Sequence, residues 1–183
     1  MPTVLTTTGL AARGINVVTF NFLYTEQGRR VPDANKALEA CFRAVIQAVQ
    51  HKKIGHGRLV IGGKSLGGRI ASQVAAAGAP DVEGLVFLGY PLHPPGRADQ
   101  LRAKHLPDIT VPMLFVQGSR DAFGTPDELR PIIKELKAPA DLYVVEGGDH
   151  SFKVLKRAGG TQEDAYKAGL DRIELWLRQS FAN

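Results

Sequence analysis

The chain has 183 residues, a length that fits one domain of ordinary size. Its 44% apolar and 22% charged residues give the balance of a folded globular protein and exclude disorder, and no apolar run reaches the roughly 18–20 residues that cross a bilayer. Lys and Arg number 23 against 18 Asp and Glu, yet basic residues gather only in pairs (Arg29-Arg30, Lys52-Lys53, Lys156-Arg157), without the stripe that tracks nucleic-acid phosphates.

The opening Met1–Val4 carries no basic segment followed by an apolar stretch, so the expectation is a soluble, cytoplasmic chain with no membrane or nucleic-acid partner. Asn16–Asn21 is the first β-branched and aromatic run and reads as a strand. Pro32 then opens a helix over Asp33–His51, with Leu38, Cys41, Phe42, Val45 and Val49 at helical spacing. Cys41 is the single cysteine, which excludes an internal disulfide and a cysteine-rich metal site; its place on the apolar face predicts a packing role. Leu59–Gly62 is a second strand, and Leu66–Ala77 a helix stopped by Gly78 and Pro80. Further strands are expected at Leu85–Leu88, Met113–Val116 and Leu142–Val145, with a helix from Pro126 to Leu136 after Gly124-Thr125. The last helix places Tyr166, Leu170, Ile173, Trp176 and Leu177 on one side, with Trp176 as a core anchor. Strands that are continuously apolar and alternate with helices imply an α/β fold. The expectation is one domain over residues 1–183, its mostly parallel sheet of about five to six strands covered by helices on both faces.

The sharpest feature is Gly63-Lys64-Ser65-Leu66-Gly67, set between a strand and a helix. A serine on so tight a turn has a strained backbone, so its neighbours two positions away must lack bulk, and Gly68 lets the helix pack closely on the sheet. The turn lifts the hydroxyl clear of the sheet at the positive end of a helix, where a developing oxyanion is favoured. A phosphate loop is the competing reading, but it needs a glycine where Arg58 stands, and it needs its loop after the strand.

A serine nucleophile needs a base and a carboxylate to orient that base. Asp121 follows the strand Met113–Val116, and His150 follows Leu142–Val145, so serine, acid and histidine occur in order on successive post-strand loops. Asp149 and Glu146 compete with Asp121, but a residue adjacent to the histidine rarely points the same way, and Glu146 lies at a strand end. His51 and His56 flank an exposed loop, and His105, in a polar helical stretch with Arg102 and Lys104, reads as solvated. His93 follows a strand and is expected to line the pocket with Phe22 and Lys64. No histidine or carboxylate pair has metal-ligand spacing, so neither metal nor cofactor is expected.

Gly63–Arg69, Phe87–Gly96, Gln117–Asp121 and Gly148–Phe152, together with Gly9–Gly14 and Phe20–Phe22, resemble small α/β-hydrolases of the dienelactone-hydrolase-like group over nearly the whole chain. The resemblance implies a reduced α/β-hydrolase fold with Ser65 as nucleophile, Asp121 as orienter and His150 as base. It also implies that the Leu66 N–H receives the oxyanion, and that relatives begin with a strand and a His-Gly-rich loop, the source of a second oxyanion donor, ahead of the helix containing Leu10-Ala11-Ala12. This sequence opens at about that helix, so the expectation is a chain without that strand and loop, impaired in packing and activity unless Met1–Thr8 and Phe22-Leu23 compensate.

The function expected is therefore a lidless serine hydrolase acting on a small ester or thioester. The alternative is an impaired hydrolase-like module that binds a protein partner. A sheet short of a strand is also expected to be able to pair its edge in a homodimer.

Overall fold

A computed structural model describes residues 2–52, 54, 57–154 and 161–182. His56, Lys53, Lys156 and Arg157 of the sequence reading lie outside the described residues. The elements in chain order are α1 (Pro2–Ala11), α2 (Leu23–Glu26), α3 (Asn35–His51), β1 (Leu59–Lys64), α4 (Leu66–Ala76), β2 (Val82–Leu88), a 3₁₀ turn (Leu106–Asp108), β3 (Met113–Gly118), α5 (Pro126–Lys134), β4 (Ala140–Val145) and α6 (Gln162–Ser180).

The four strands pair in sequence order and all run parallel, with Ile61 opposite Leu85, Phe87 opposite Phe115, and Val116 opposite Tyr143. Because side chains alternate along each strand, the sheet feeds two cores. Ile61, Leu85, Phe87, Met113 and Phe115 face the core shared with α3, α4 and α5 through Leu38, Phe42, Ile70, Val74 and Leu129. Leu114, Val116 and Val145 face the other core, closed by Ile173 and Trp176 of α6. Helices thus cover both faces, and near-continuous apolar strands are the sequence consequence. Phe87, Tyr90 and Phe115 form the aromatic centre of the first core, with ring centroids 4.7–5.7 Å apart and all three rings fully buried.

The expected count of five to six strands is corrected to four among the described residues, because Asn16–Asn21 forms no strand. A strand exists only through pairing, and here none is available. A cleft of about 260 Å³ separates Ile15–Thr19 from the outer edge of β1 at Val60–Lys64. The segment nonetheless anchors the fold locally, since the Phe20 ring meets Phe42 of α3 and Phe22 edge-on.

Helix ends follow their capping chemistry. Thr125 and Glu128 form a reciprocal capping box that starts α5, with Pro126 at its first turn; Thr161 and Asp164 do the same for α6. The link from β2 to β3 is pinned onto α4, where Ser72 Oγ lies 2.7 Å from His105 Nε2 and Tyr90 donates its hydroxyl to the Arg102 carbonyl at 3.0 Å. The solvated reading of His105 is corrected: its ring is half-buried, and burial, reinforced by the Arg69 charge, holds its pKa below the ordinary value of 6.5. His51 is exposed as expected, and Cys41 is half-buried on α3.

Candidate active site

The C-terminal ends of β1, β3 and β4 bring three sequence-predicted residues together. Ser65 caps α4 directly after β1, with φ 51° and ψ −117°, a conformation that costs a non-glycine residue about 1–3 kcal/mol. Packing holds it there. A Cβ on Gly68 would lie 2.7 Å from the Gly63 carbonyl oxygen and 3.4 Å from the Phe87 ring, and one on Gly63 would come within 2.9 Å of the Gly67 backbone. Close approach of α4 to β1 therefore requires glycine at 63 and 68. Gly67 is different: a Cβ there meets nothing within 4 Å, so the expectation of a bulk limit at that position is corrected.

Asp121 and His150 sit on loops tied to one another. Ser119 N–H donates to the Val145 carbonyl, Arg120 N–H to the Gly148 carbonyl, and Gly147 N–H to Ser119 Oγ at 2.8 Å. Asp121 Oδ2 lies 2.8 Å from His150 Nδ1, and His150 Nε2 lies 2.8 Å from Ser65 Oγ. The carboxylate, 1% exposed, can only accept. Nδ1–H must then donate to it, which leaves Nε2 free to accept the serine hydroxyl proton. The Phe123 ring covers His150, with centroids 4.2 Å apart. Gly89, at φ 63°, lies beneath the pair: a Cβ there would come within 3.3 Å of His150 Nδ1 and 3.4 Å of Asp121 Oδ2.

The competing carboxylates point elsewhere. Asp149 Oδ1 accepts the N–H groups of Ser151 and Lys153 and shapes the turn after the histidine, while Glu146 is exposed. Leu66 occupies the first position of α4, where geometry gives its N–H no acceptor within the helix. Lys64 donates from Nζ to the His150 carbonyl at 2.9 Å and lies 5.9 Å from the centre of the Phe152 ring. Burial lowers the Lys64 pKa, against the opposing pull of the Asp121 and Asp149 charges.

The other pocket residues of the sequence reading have partners of their own. His93 is 5% exposed; its Nδ1 is 2.8 Å from the Pro94 carbonyl oxygen, its Nε2 is 3.1 Å from Glu128, and its backbone N–H donates to the Phe123 carbonyl. It therefore braces the loop that carries Phe123, and both ring nitrogens are occupied within the protein. Phe22 caps α2 and packs on Phe20 and Phe42. The cleft beside β1 reaches Lys64 and Phe152, whereas Ser65, Asp121 and His150 do not line it. Among the described residues, no group of three or more His, Cys, Asp or Glu side chains is placed to hold a metal ion, and no helix is long and apolar enough to cross a membrane.

Sequence reasoning missed Gln117 and Phe123. Gln117 is a fully buried polar side chain at the end of an apolar strand, and that lone polar residue was the available signal. Phe123 carried none, since an aromatic two residues after an acid is ordinary.

Residues 3–178 match the model of a family described as alpha/beta hydrolase domain. A serine hydrolase homologue from Coxiella burnetii is 20% identical, with a TM-score of 0.69 over 99% of this chain and 76% of its own. A dienelactone hydrolase from Anabaena variabilis is 18% identical, with a TM-score of 0.74 over 98% of this chain and 79% of its own. The esterase domain of a Rhodothermus marinus protein is 16% identical, with a TM-score of 0.68 over 97% of this chain and 79% of its own. At these identities the likeness is one of fold, and it agrees with the resemblance read from the sequence.

Proposed function

The chain belongs to the alpha/beta hydrolase domain family, and from that premise we propose that it is a serine hydrolase that cleaves a small ester or thioester through an acyl-enzyme at Ser65. One observation carries the reading: an unbroken line of 2.8 Å contacts from Ser65 Oγ through His150 to a buried Asp121. A partner-binding module has no use for a strained serine held against an oriented imidazole.

In this mechanism Ser65 Oγ attacks the acyl carbonyl carbon as His150 Nε2 takes its proton, and Asp121 fixes the imidazole tautomer and stabilises the imidazolium. The carbonyl oxygen becomes an oxyanion, received by the Leu66 N–H at the positive end of α4. Collapse of the tetrahedral intermediate breaks the bond to the alcohol or thiol, which departs with the proton from His150. Water, deprotonated by His150, then attacks the acyl carbon and releases the acid and Ser65. The link between β2 and β3 is held down on α4 by Ser72 and His105. It forms no lid in this reading, so short acyl groups are accepted without activation by an interface.

Hydrolysis of p-nitrophenyl acetate, butyrate and octanoate, and of a short acyl thioester, tests the proposal. The expected result is turnover favouring the shorter acyl groups and lost in Ser65→Ala. Turnover that persists in Ser65→Ala would remove the serine from the mechanism.

A further inference from the structure

We propose that Gln117 is a positioning residue that locks the Asp121 carboxylate onto His150 and couples the loops after β2 and β3 to that alignment. The inference goes beyond the hydrolase reading but rests on it for its kinetic arm.

Gln117 is the penultimate residue of β3 and has no exposed surface, and its amide meets four groups from two loops. Oε1 accepts the Tyr90 N–H at 2.8 Å. Nε2 faces Asp121 Oδ2 at 2.9 Å, the Gly124 carbonyl oxygen at 2.7 Å and the Tyr90 carbonyl oxygen at 3.2 Å. The Tyr90 N–H identifies the oxygen end of the amide, so the nitrogen necessarily faces the carboxylate. Asp121 Oδ2 thus meets two donors, Gln117 Nε2 and His150 Nδ1, while Oδ1 accepts the Phe123 N–H at 2.8 Å.

Without Gln117 each carboxylate oxygen would keep a single partner, the Phe123 N–H on Oδ1 and His150 Nδ1 on Oδ2. Gln117 adds a second donor to Oδ2, the oxygen that meets the imidazole, and so resists its displacement from His150. The same amide grips Tyr90 and Gly124, which border Gly89 beneath the pair and Phe123 above it. A buried glutamine serving packing alone would not need to address the one carboxylate that the histidine uses. The charged groups facing this arrangement are the Lys64 ammonium on the His150 carbonyl and the Asp149 carboxylate in the following turn.

Two variants separate positioning from bulk structure. Gln117→Met keeps length and apolar volume and removes the donor. Gln117→Glu restores a donor only while its carboxyl is protonated, because two ionised carboxylates at that distance repel. The direct readout is the downfield proton resonance of His150 Nδ1–H, which reports the contact to Asp121 whether or not the protein turns over any substrate. The second readout is the rate of serine labelling by a fluorophosphonate probe.

In folded Gln117→Met the resonance should be lost to exchange and labelling should slow about 10- to 100-fold, the range a hydrogen bond to a charged group controls. In Gln117→Glu the resonance should be present in acid and disappear as pH rises. An unchanged resonance in both folded variants, with labelling within twofold of wild type, overturns the proposal. Failure of the wild type to label overturns the hydrolase reading instead, and the resonance still decides the role of Gln117.

Discussion

Replacing Asp121 by Asn tests the alignment at its least tolerant point, because the contacts dictate which way the new amide must sit. Asp121 Oδ1 accepts a backbone N–H from Phe123, whereas Oδ2 faces His150 Nδ1 and Gln117 Nε2. If the asparagine NH₂ took the Oδ1 place, it would oppose the Phe123 N–H, which cannot move away. If it takes the Oδ2 place, it opposes Gln117, which can withdraw, since its two N–H hydrogens have the Tyr90 and Gly124 carbonyls as other acceptors. The second orientation therefore wins, and the NH₂ donates to His150 Nδ1. The imidazole must then carry its proton on Nε2, facing Ser65, where it can accept nothing. Tautomer inversion of this kind costs roughly 10³–10⁴ in rate, or about 4–5.5 kcal/mol. One strained or unmade buried contact should lower stability by about 1–3 kcal/mol. Second-order labelling by a fluorophosphonate, paired with thermal denaturation, measures both. A folded Asp121→Asn protein labelled within tenfold of wild type would refute the reasoning.

The glycines of the serine turn should behave oppositely. Gly68→Ala forces a Cβ against the Gly63 carbonyl oxygen and should destabilise by about 1–3 kcal/mol, whereas Gly67→Ala enters open space and should be neutral or stabilising by up to about 1 kcal/mol in chemical denaturation. Equal losses at both positions would contradict this packing account. Gly89→Ala combines φ 63° with contacts at 3.2–3.4 Å to His150 and Asp121, so labelling should slow by about tenfold or more for a loss of about 1–3 kcal/mol in stability; a labelling rate equal to wild type would count against it. His105 has a folded-state pKa below its ordinary 6.5 because burial disfavours the charged ring. As pH falls below about 6.5 the unfolded chain takes up that proton first, so the stabilisation is complete above that value and is lost as pH falls through the folded pKa. Thermal melts of His105→Gln between pH 7.5 and 5 should fall less steeply than those of wild type; parallel curves would contradict it.

Much of this site was legible because parallel sheets write themselves plainly. β1 to β4 each contain a short apolar run, Leu59–Ile61, Leu85–Leu88, Met113–Val116 and Leu142–Val145, followed by glycine or polar residues. Ser65, Asp121 and His150 each follow such a run, so position after a strand carried most of the information. Asn16–Asn21 carries a similar β-branched and aromatic signal but pairs with no strand among the described residues, and composition does not encode pairing. His105, just after Arg102 and Lys104, read as solvated, yet a 2.7 Å contact to Ser72 sets its surroundings from 33 residues away. His93 shows the same limit, since its ring partner is Glu128, on α5. Gln117 gives no local sign of its role because its four partners lie on two different loops. Local sequence reports what a residue is; the tertiary fold decides which groups it faces.

Intact-mass measurement after reaction with a fluorophosphonate tests the central claim most directly. The account predicts one covalent adduct on the wild-type chain, absent from Ser65→Ala and from His150→Ala. A correctly folded wild type that gains no mass, or an adduct that survives Ser65→Ala, would contradict it.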